Sequence, residues 1–416
     1  MTNFPFGFSP TGGPGGSGDL SGVPFFAELQ RLMSGADGPV NWELARQMAV
    51  AAATSEDRPA IGFGATEGGD VAESLRLAEL WLDGVTTLPA GTTIAQAWTR
   101  ARWVEATLAT WQTLCDPVAS RVVAAMKGAL PEELSTSAGP LGDMMNQVGG
   151  LMFGMQVGQA LGALAGEVLS STDVGLPLGP PSTGALLPQN IAAFGADLGV
   201  PAAEVQLYIA LREAAYHRLF GHVPWLRGQL LAAVEAYAKG ITIDTGRMES
   251  AMASIDPTDP ESLQNALSGG LFEPEDSPQQ RASLARLELL LALIEGWVDH
   301  VTDAAATAHL PAAAALRETV RRRRATGGPA ERTFATLVGL ELRPRRLREA
   351  AAVWAALTEA RGIDGRDDVW RHPDLLPDSA ALDDPAAFAT RADDDVFTLD
   401  PGDVDGPLGQ DGPDPS

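Results

Sequence analysis

Two stretches of the chain carry carboxylates and histidines at spacings that could support chemistry. The stretch 211–226 reads LREAAYHRLFGHVPWL and contains Glu213, His217 and His222, and a later stretch contains Glu295 with an aspartate four residues after it. Carboxylates and imidazoles are the side chains that bind Zn²⁺ and that act as general bases in hydrolysis. The two stretches are therefore the candidate functional site, and metal-assisted hydrolysis is the chemistry that their residue types would support.

Glu213 stands in a frame that partly matches the helical zinc motif HExxH. In that motif two histidines at i and i+4 share one helix face and bind the metal, and the glutamate takes a proton from the metal-bound water. Here Arg212 occupies the first histidine position and Tyr216 the second. A guanidinium stays protonated and repels a cation, and tyrosine is an uncommon ligand. The frame predicts Glu213 as the catalytic base but leaves the ligand set incomplete.

The frame is one of five segments that together resemble a known family. The others are MQVGQALG at 155–162, STDVGLP at 171–177, EGWVD at 295–299 and LVGLELRPRR at 337–346. As a set they are similar to the zincin-like metallopeptidase family found mostly in actinobacteria, whose members are often described as hydrolases. The resemblance spans roughly residues 140–385. It implies a zincin-type active-site helix, zinc as the cofactor and hydrolysis of a peptide or protein substrate.

The resemblance also gives roles to Glu295 and Asp299. The two acids are four residues apart, so they share one helix face. In glutamate zincins a glutamate from a later helix is the third metal ligand, and an acid one turn on orients a ligand histidine by hydrogen bonding. Taken alone, the pair is equally consistent with a solvated acidic helix face. The apolar run 289–294 beside the pair favours a partly buried position.

The two substitutions in the motif leave two interpretations open. In the first, His217, His222 and Glu295 bind zinc, and the protein is a zinc-dependent peptidase with unconventional ligands. In the second, Arg212 occupies the place of the metal and pairs with Glu295 or Asp299, so that the centre is structural. The second interpretation predicts a catalytically inactive zincin-like protein that acts as a peptide-binding or protein-binding module.

Helical periodicity dominates the sequence that must position these residues, so we expect a mainly α fold with few short strands. Pro201 is suited to the start of the helix that carries the HExxH-like frame, and that helix should end near Pro224. A capping-box pattern at 70–73 predicts another helix start. Further helices are expected to carry Trp98, Trp103 and Trp111 as core residues and to span 225–239, 278–308 and 343–361. A short strand or hairpin is expected within the Gly- and Pro-rich segment 171–181.

Glycine recurs at every fourth position from Gly150 to Gly166. Such a ridge without side chains lets another backbone approach closely, and the pattern also occurs in membrane helices. Gln156 and Gln159 interrupt the apolar run, and no basic residues mark a cytoplasmic flank. The pattern therefore favours a buried helix of a soluble protein and predicts no membrane partner.

Composition divides the 416 residues into three predicted parts. Residues 1–24 carry seven Gly and four Pro and predict a flexible arm. A helical zincin-like domain is expected over 25–376, and residues 377–416 are expected to form a disordered acidic tail. The net charge of −25 repels phosphate backbones and disfavours a nucleic-acid partner. Cys115 is the one cysteine, which excludes an internal disulfide and a cysteine-based zinc site and predicts a cytoplasmic location.

Overall fold

The computed structural model describes residues 38–55, 65–128, 138–239, 278–325, 333 and 346–391. Helices make up most of these residues and confirm the mainly α class. In chain order they are α1 (Trp42–Ser55), α2 (Ala65–Leu82), α3 (Arg100–Gly128), α4 (Ala138–Ala165), α5 (Pro188–Gly195), α6 (Ala202–His222), α7 (Pro224–Lys239), α8 (Pro278–Thr307), α9 (Ala313–Ala325), α10 (Leu347–Asp368), α11 (Ser379–Asp383) and α12 (Pro385–Thr390). The predicted arm at 1–24 lies outside the described residues.

Two short parallel strands, β1 (Ile94–Ala97) and β2 (Thr183–Leu186), form a sheet beside the helices. Ile94 pairs with Thr183, and Ala97 pairs with Leu186. Every residue of β2 is buried, and this strand packs against α6. The sequence placed the strand at 171–181, but the chain turns through that segment and extends only after Pro181, because prolines cannot donate to a ladder.

Helix α6 is the centre of the domain. It begins after Pro201, as the sequence predicts, and every residue from 208 to 219 is buried. Helices α2, α5, α8 and α9 and strand β2 pack against it. Because α6 is covered on all sides, each of its buried polar side chains needs a hydrogen-bond or ion-pair partner. The candidate site on this helix is therefore built from buried polar pairs.

Large tryptophans fill the core around this helix. Trp103 and Trp111 lie on α3 and are fully buried, as expected. Trp98 is also buried but lies before α3, directly after β1, where its backbone N–H donates to Leu186 O at 2.8 Å. The sequence predicts Trp98 within the same helix as Trp103, because the spacing of the tryptophans does not show where β1 ends and α3 begins.

Helix α2 begins at Ala65, five residues before the predicted capping box at 70–73. Gly68 and Gly69 precede Asp70 and have low helix propensity. For this reason the sequence predicts a helix start at Asp70 and not at Ala65. Packing of α2 against α6 and α8 holds the helix in place.

The acidic segment after 376 begins with ordered helices. Asp378 accepts a hydrogen bond from Ala381 N at 2.8 Å, and Asp384 accepts one from Ala387 N at 3.1 Å, so the two aspartates are the N-caps of α11 and α12. Both helices pack on α10. The packed part of the chain therefore extends to 391, past the predicted domain end, and residues 392–416 of the predicted tail lie outside the described residues.

The glycine ridge of α4 lies against α1. A Cβ on Gly158 would come 2.7 Å from Met48 Cβ and 2.8 Å from Ala45 O, and a Cβ on Gly154 would come 2.6 Å from Asn41 O. Glycine is thus required here because the two helix backbones are nearly in contact. Among the described residues, no helix is long and apolar enough to cross a membrane.

Replacement of Gly158 by alanine tests this packing. We expect Gly158→Ala to lower the free energy of unfolding by about 1–3 kcal/mol, because the added methyl group forces α1 and α4 apart. Gly228 lies inside α7, and no atom of the described residues outside its own helix comes within 4 Å of the position that a Cβ would take, so Gly228→Ala should instead raise stability by about 1 kcal/mol. Urea unfolding of both variants measures the difference, and equal effects of the two substitutions would contradict the close approach.

Candidate active site

Arg212 and Tyr216 both bind the carboxylate of Glu295. Arg212 Nη2 donates to Glu295 Oε1, and the Tyr216 hydroxyl donates to Oε2. The side chains of Arg212 and Glu295 are each about 5% exposed. The two residues in the histidine positions of the motif are therefore joined to the glutamate that the family resemblance gives as third ligand.

A second guanidinium reaches the same carboxylate from α9. Arg324 Nη2 lies 3.4 Å from Glu295 Oε2 and 3.4 Å from the Tyr216 hydroxyl, and it donates to the backbone carbonyl of Asp173. Its neighbour Arg323 binds the Asp173 carboxylate at 3.0 Å. Glu295 thus lies between two arginines that come from different helices.

These charges set the protonation states at the centre. Burial alone would raise the pKa of Glu295, but the positive charges of Arg212 and Arg324 outweigh burial and hold that pKa below its usual range. Burial raises the pKa of Tyr216, and the negative charge of Glu295 raises it further. Glu295 is consequently ionised, and Tyr216 is a neutral phenol that donates its proton in a hydrogen bond.

Asp299 does not contact Arg212 through a hydrogen bond. Its carboxylate instead accepts from Arg317 and Arg321 of α9, each with one contact at 2.7 Å. Burial alone would raise the pKa of Asp299, but the hydrogen bonds from the two arginines lower it. Asp299 therefore docks α9 onto α8, and this docking brings Arg324 to Glu295.

Glu213 is fully buried and surrounded by hydrogen-bond donors. Its oxygens accept from the Ser171 hydroxyl, from Thr172 N at 3.1 Å and Thr172 Oγ1 at 2.5 Å, and from Ala185 N at 3.0 Å. His217 Nε2 lies 3.2 Å from Glu213 Oε1. The carboxylate therefore ties α6 to the turn at 171–172 and to β2.

Hydrogen bonding also determines the charge of Glu213. Burial alone would raise its pKa, but the contact with His217 and the hydroxyl donors Ser171 and Thr172 lower it below the usual range. An ionised carboxylate can act as a general base only if one of its oxygens reaches the proton to be removed. In this arrangement both oxygens are already bonded to the protein.

The structure does not bring the three remaining predicted ligands together. His217 is buried against Glu213, whereas His222 is exposed at the end of α6, where its Nε2 lies 3.2 Å from Ala90 O. Glu295 is bound to the two residues of the motif. Within the described ranges, no group of three or more His, Cys, Asp or Glu residues is arranged to hold a metal ion.

The side chains at the centre do not fit zinc. Arg212 carries a permanent positive charge at the first ligand position, and Tyr216 is protonated at the second. The carboxylate that would complete the ligand set is already neutralised by arginines. A metal would have to displace Arg212 and deprotonate Tyr216, and both changes are unfavourable in a buried site.

Several residues of this centre are absent from the sequence predictions. Ser171, Thr172 and Asp173 lie in the segment STDVGLP, which carries part of the family resemblance but gives these residues no role at the site, and their contacts with α6 and α9 are long-range in the chain. The spacing of Arg317, Arg321 and Arg324 at i, i+4 and i+7 places them on one helix face. That periodicity was the one signal for these residues, and it was hidden by the run of four arginines.

Acid titration tests the buried carboxylates. Because the native pKa of Glu295 lies below that of the unfolded chain, the unfolded state binds more protons between the two values. The contribution of ionised Glu295 to the free energy of unfolding is complete above about pH 4.5 and is lost as the pH falls through the native pKa of this residue. We expect the free energy of unfolding of the wild type to fall between about pH 5 and pH 3. The free energy of unfolding of Glu295→Gln should fall less steeply over the same range.

The exposed Glu359 provides the control for this titration. Glu359→Gln removes a carboxylate from the surface of α10 and should leave the slope of stability against pH as in the wild type. Urea unfolding at a series of pH values gives the slopes. Equal slopes for Glu295→Gln and the wild type would contradict the assigned ionisation.

Comparisons with known proteins identify a family and a similar solved structure. A family model described as zincin-like metallopeptidase matches residues 40–389. A solved structure from Chloroflexus aurantiacus, described as a candidate hydrolase with a novel fold, is 22% identical, with a TM-score of 0.59 over 84% of this chain and 97% of that one. No curated protein matches the sequence. Since the family model covers most of the chain, the protein belongs to the zincin-like metallopeptidase family.

Proposed function

We propose that this protein is a zincin-like family member in which an ion pair takes the place of the metal centre, and that it binds a peptide or protein without hydrolysing it. The observation that carries the proposal is the bonding of Arg212 and Tyr216 to Glu295. Both substituted motif positions donate a hydrogen bond to the candidate third ligand, while Arg212 Nη1 is buried without a hydrogen-bond partner among the described residues.

Charge balance supports this proposal. Arg212 and Arg324 together bring two positive charges to Glu295, the same formal charge as a zinc ion. A buried carboxylate is stable only when cations and hydrogen bonds compensate for its lost hydration. The arginines supply that compensation, so the helices can remain docked without a metal.

The position of Glu213 supports the same conclusion. Its two oxygens are bonded to Ser171, Thr172, Ala185 and His217, which hold it as a link between α6 and β2. Such a link has a structural role that remains useful when catalysis is lost. We therefore assign Glu213 to stability.

A peptide or protein is the proposed partner because the family scaffold is that of a peptidase and the net charge of −25 disfavours polyanions. We also propose a cytoplasmic location. The proposal rests on the single cysteine, Cys115, which is free and buried, as in proteins that do not depend on disulfides.

A zinc-dependent peptidase is the second candidate function. Family membership favours it, and so does the description of the Chloroflexus aurantiacus protein as a candidate hydrolase. His217 shares a face with Glu213, so an unconventional ligand set would start from these two residues. This candidate requires rearrangement of the hydrogen bonds around Glu213.

Metal content separates the two candidates. We expect the full chain, purified without chelators or a histidine tag, to contain far less than one zinc per molecule by mass spectrometry, and to cleave no casein. Stoichiometric zinc in the wild type that is lost in Glu295→Ala, together with casein cleavage blocked by a chelator, would contradict the proposal.

The double variant Arg212→His/Tyr216→His is the matched control. It restores the HExxH motif and removes two of the three side chains that bind Glu295, which leaves Arg324 as the one that a metal has to displace, so we expect it to bind about one zinc per chain. Addition of Glu295→Ala to this variant should abolish that binding. The control shows that the assay detects zinc in this scaffold.

A further inference from the structure

Three buried polar groups on α6 and α8 have no hydrogen-bond partner among the described residues. They are Nη1 of Arg212, the hydroxyl of Tyr208 and the hydroxyl of Thr302. Each of these residues is at most 4% exposed. A buried polar group without a partner is costly, so native proteins pair almost all such groups with protein atoms, water or an ion.

Tyr208 and Arg212 are one helical turn apart on α6, so their side chains share a helix face. Burial raises the pKa of Tyr208, and the nearby positive charge of Arg212 opposes that increase. The phenol is therefore neutral and keeps a proton to donate. Arg212 Nη2 is bonded to Glu295, which leaves Nη1 as the donor without an acceptor.

Thr302 lies on the facing side of α8, at the level of Tyr208. The charges of Asp299 and Asp303 act on Tyr208, and Thr302 lies between these two acids in the chain. Glu295, which bonds to α6, is seven residues earlier and therefore on the same face of α8. The spacing thus directs the Thr302 side chain towards α6.

The hydroxyl of Thr302 makes no hydrogen bond within its own helix. A helical threonine can donate to the carbonyl four residues earlier, as Thr107, Thr319 and Thr358 do at 2.7–2.8 Å. Thr302 Oγ1 has no such partner. This hydroxyl can therefore donate to a ligand that lies between α6 and α8.

The three groups together are rich in donors. A guanidinium nitrogen can only donate, and each hydroxyl has one proton to donate. The nearby carboxylates already accept from other groups: Glu295 from α6, Asp299 from arginines of α9, and Glu204 from a backbone N–H at 3.1 Å. A ligand that only accepts fits this set better than water, which also has two protons to place.

The charge around Arg212 also suits an anion. Glu295 is shared by Arg212 and Arg324, so one negative charge faces two positive charges at close range. Asp173 is farther from Arg324, at 3.8 Å, and bonds to Arg323 at 3.0 Å. A negative charge at Arg212 Nη1 would compensate the guanidinium on the side that Glu295 does not reach.

We propose that α6 and α8 hold chloride, a small monovalent anion, between Arg212 Nη1 and the hydroxyls of Tyr208 and Thr302. The donors come from two packed helices, which favours a monatomic ion over a carboxylate or a phosphate. The ion joins α6 to α8 beside the ion pair at Glu295. The site depends on the observed position of Arg212 and not on what the protein binds or hydrolyses.

Urea unfolding of the full chain tests the site, with chloride replacing gluconate at a constant ionic strength of about 0.3 M. A ligand that binds only the folded state lowers the unfolding equilibrium constant in proportion to its occupancy of the site. We expect the constant of the wild type to fall by about tenfold or more as chloride replaces gluconate, along the saturation curve of a single site. Broadening of the chloride NMR signal by the folded protein measures the same binding directly.

Two variants each remove one donor and keep the size of the side chain. We expect Tyr208→Phe and Thr302→Val to weaken chloride binding by about tenfold or more and to be less stable than the wild type in chloride. Thr107→Val is the matched control, because Thr107 is equally buried but donates to Trp103 O on α3. This control should show the chloride dependence of the wild type.

A wild type whose stability is independent of chloride would overturn the proposal. Tyr208→Phe would then distinguish the remaining cases, since it loses stability if a buried water is bound and gains stability if the hydroxyl has no partner. An equal chloride dependence in the wild type and Tyr208→Phe would also overturn it, because that dependence is a general effect of salt. The metal-content test of the proposed function is independent of these outcomes.

Discussion

A carboxylate buried among helices has to be neutralised, and the arrangement of this domain follows from the way in which Glu295 is neutralised. Arg212 comes from the central helix α6, and Arg324 comes from α9. Tyr216 supplies the remaining hydrogen bond. The interaction therefore fixes α6, α8 and α9 relative to one another, and removal of Glu295 would leave the buried Arg212 without its ion-pair partner.

Two further buried carboxylates extend this constraint. Asp299 docks α9 through Arg317 and Arg321, which places Arg324 at Glu295. Glu213 joins β2 and the turn at 171–172 to the neighbouring face of α6 through hydrogen bonds. Polar groups that could carry out catalysis in a metal centre thus hold the helices together in this protein. A family scaffold can keep its fold in this way when its metal ligands are replaced.

The sequence was sufficient for features that depend on local patterns. Periodicity gave the mainly α class, Pro201 marked the start of α6, and the glycine spacing indicated the close contact between α4 and another helix. The partners of Glu213 and the second cation at Glu295 could not be predicted, because they depend on how distant segments pack. The acidic segment after 376 was predicted as disordered from its charge, although Asp378 and Asp384 cap helices.

The most direct measurement is a double-mutant cycle on Arg212 and Glu295, with Arg212→Met, Glu295→Gln and the double variant unfolded by urea in the presence of a chelator. If the ion pair replaces the metal, the free energy of unfolding of each single variant should fall by about 3–5 kcal/mol. The loss in the double variant should be about 2–3 kcal/mol smaller than the sum of the two single losses, and this difference is the coupling energy. The stability of the wild type should not change when the chelator is added. A coupling energy near zero, or a wild type that the chelator destabilises, would contradict the account.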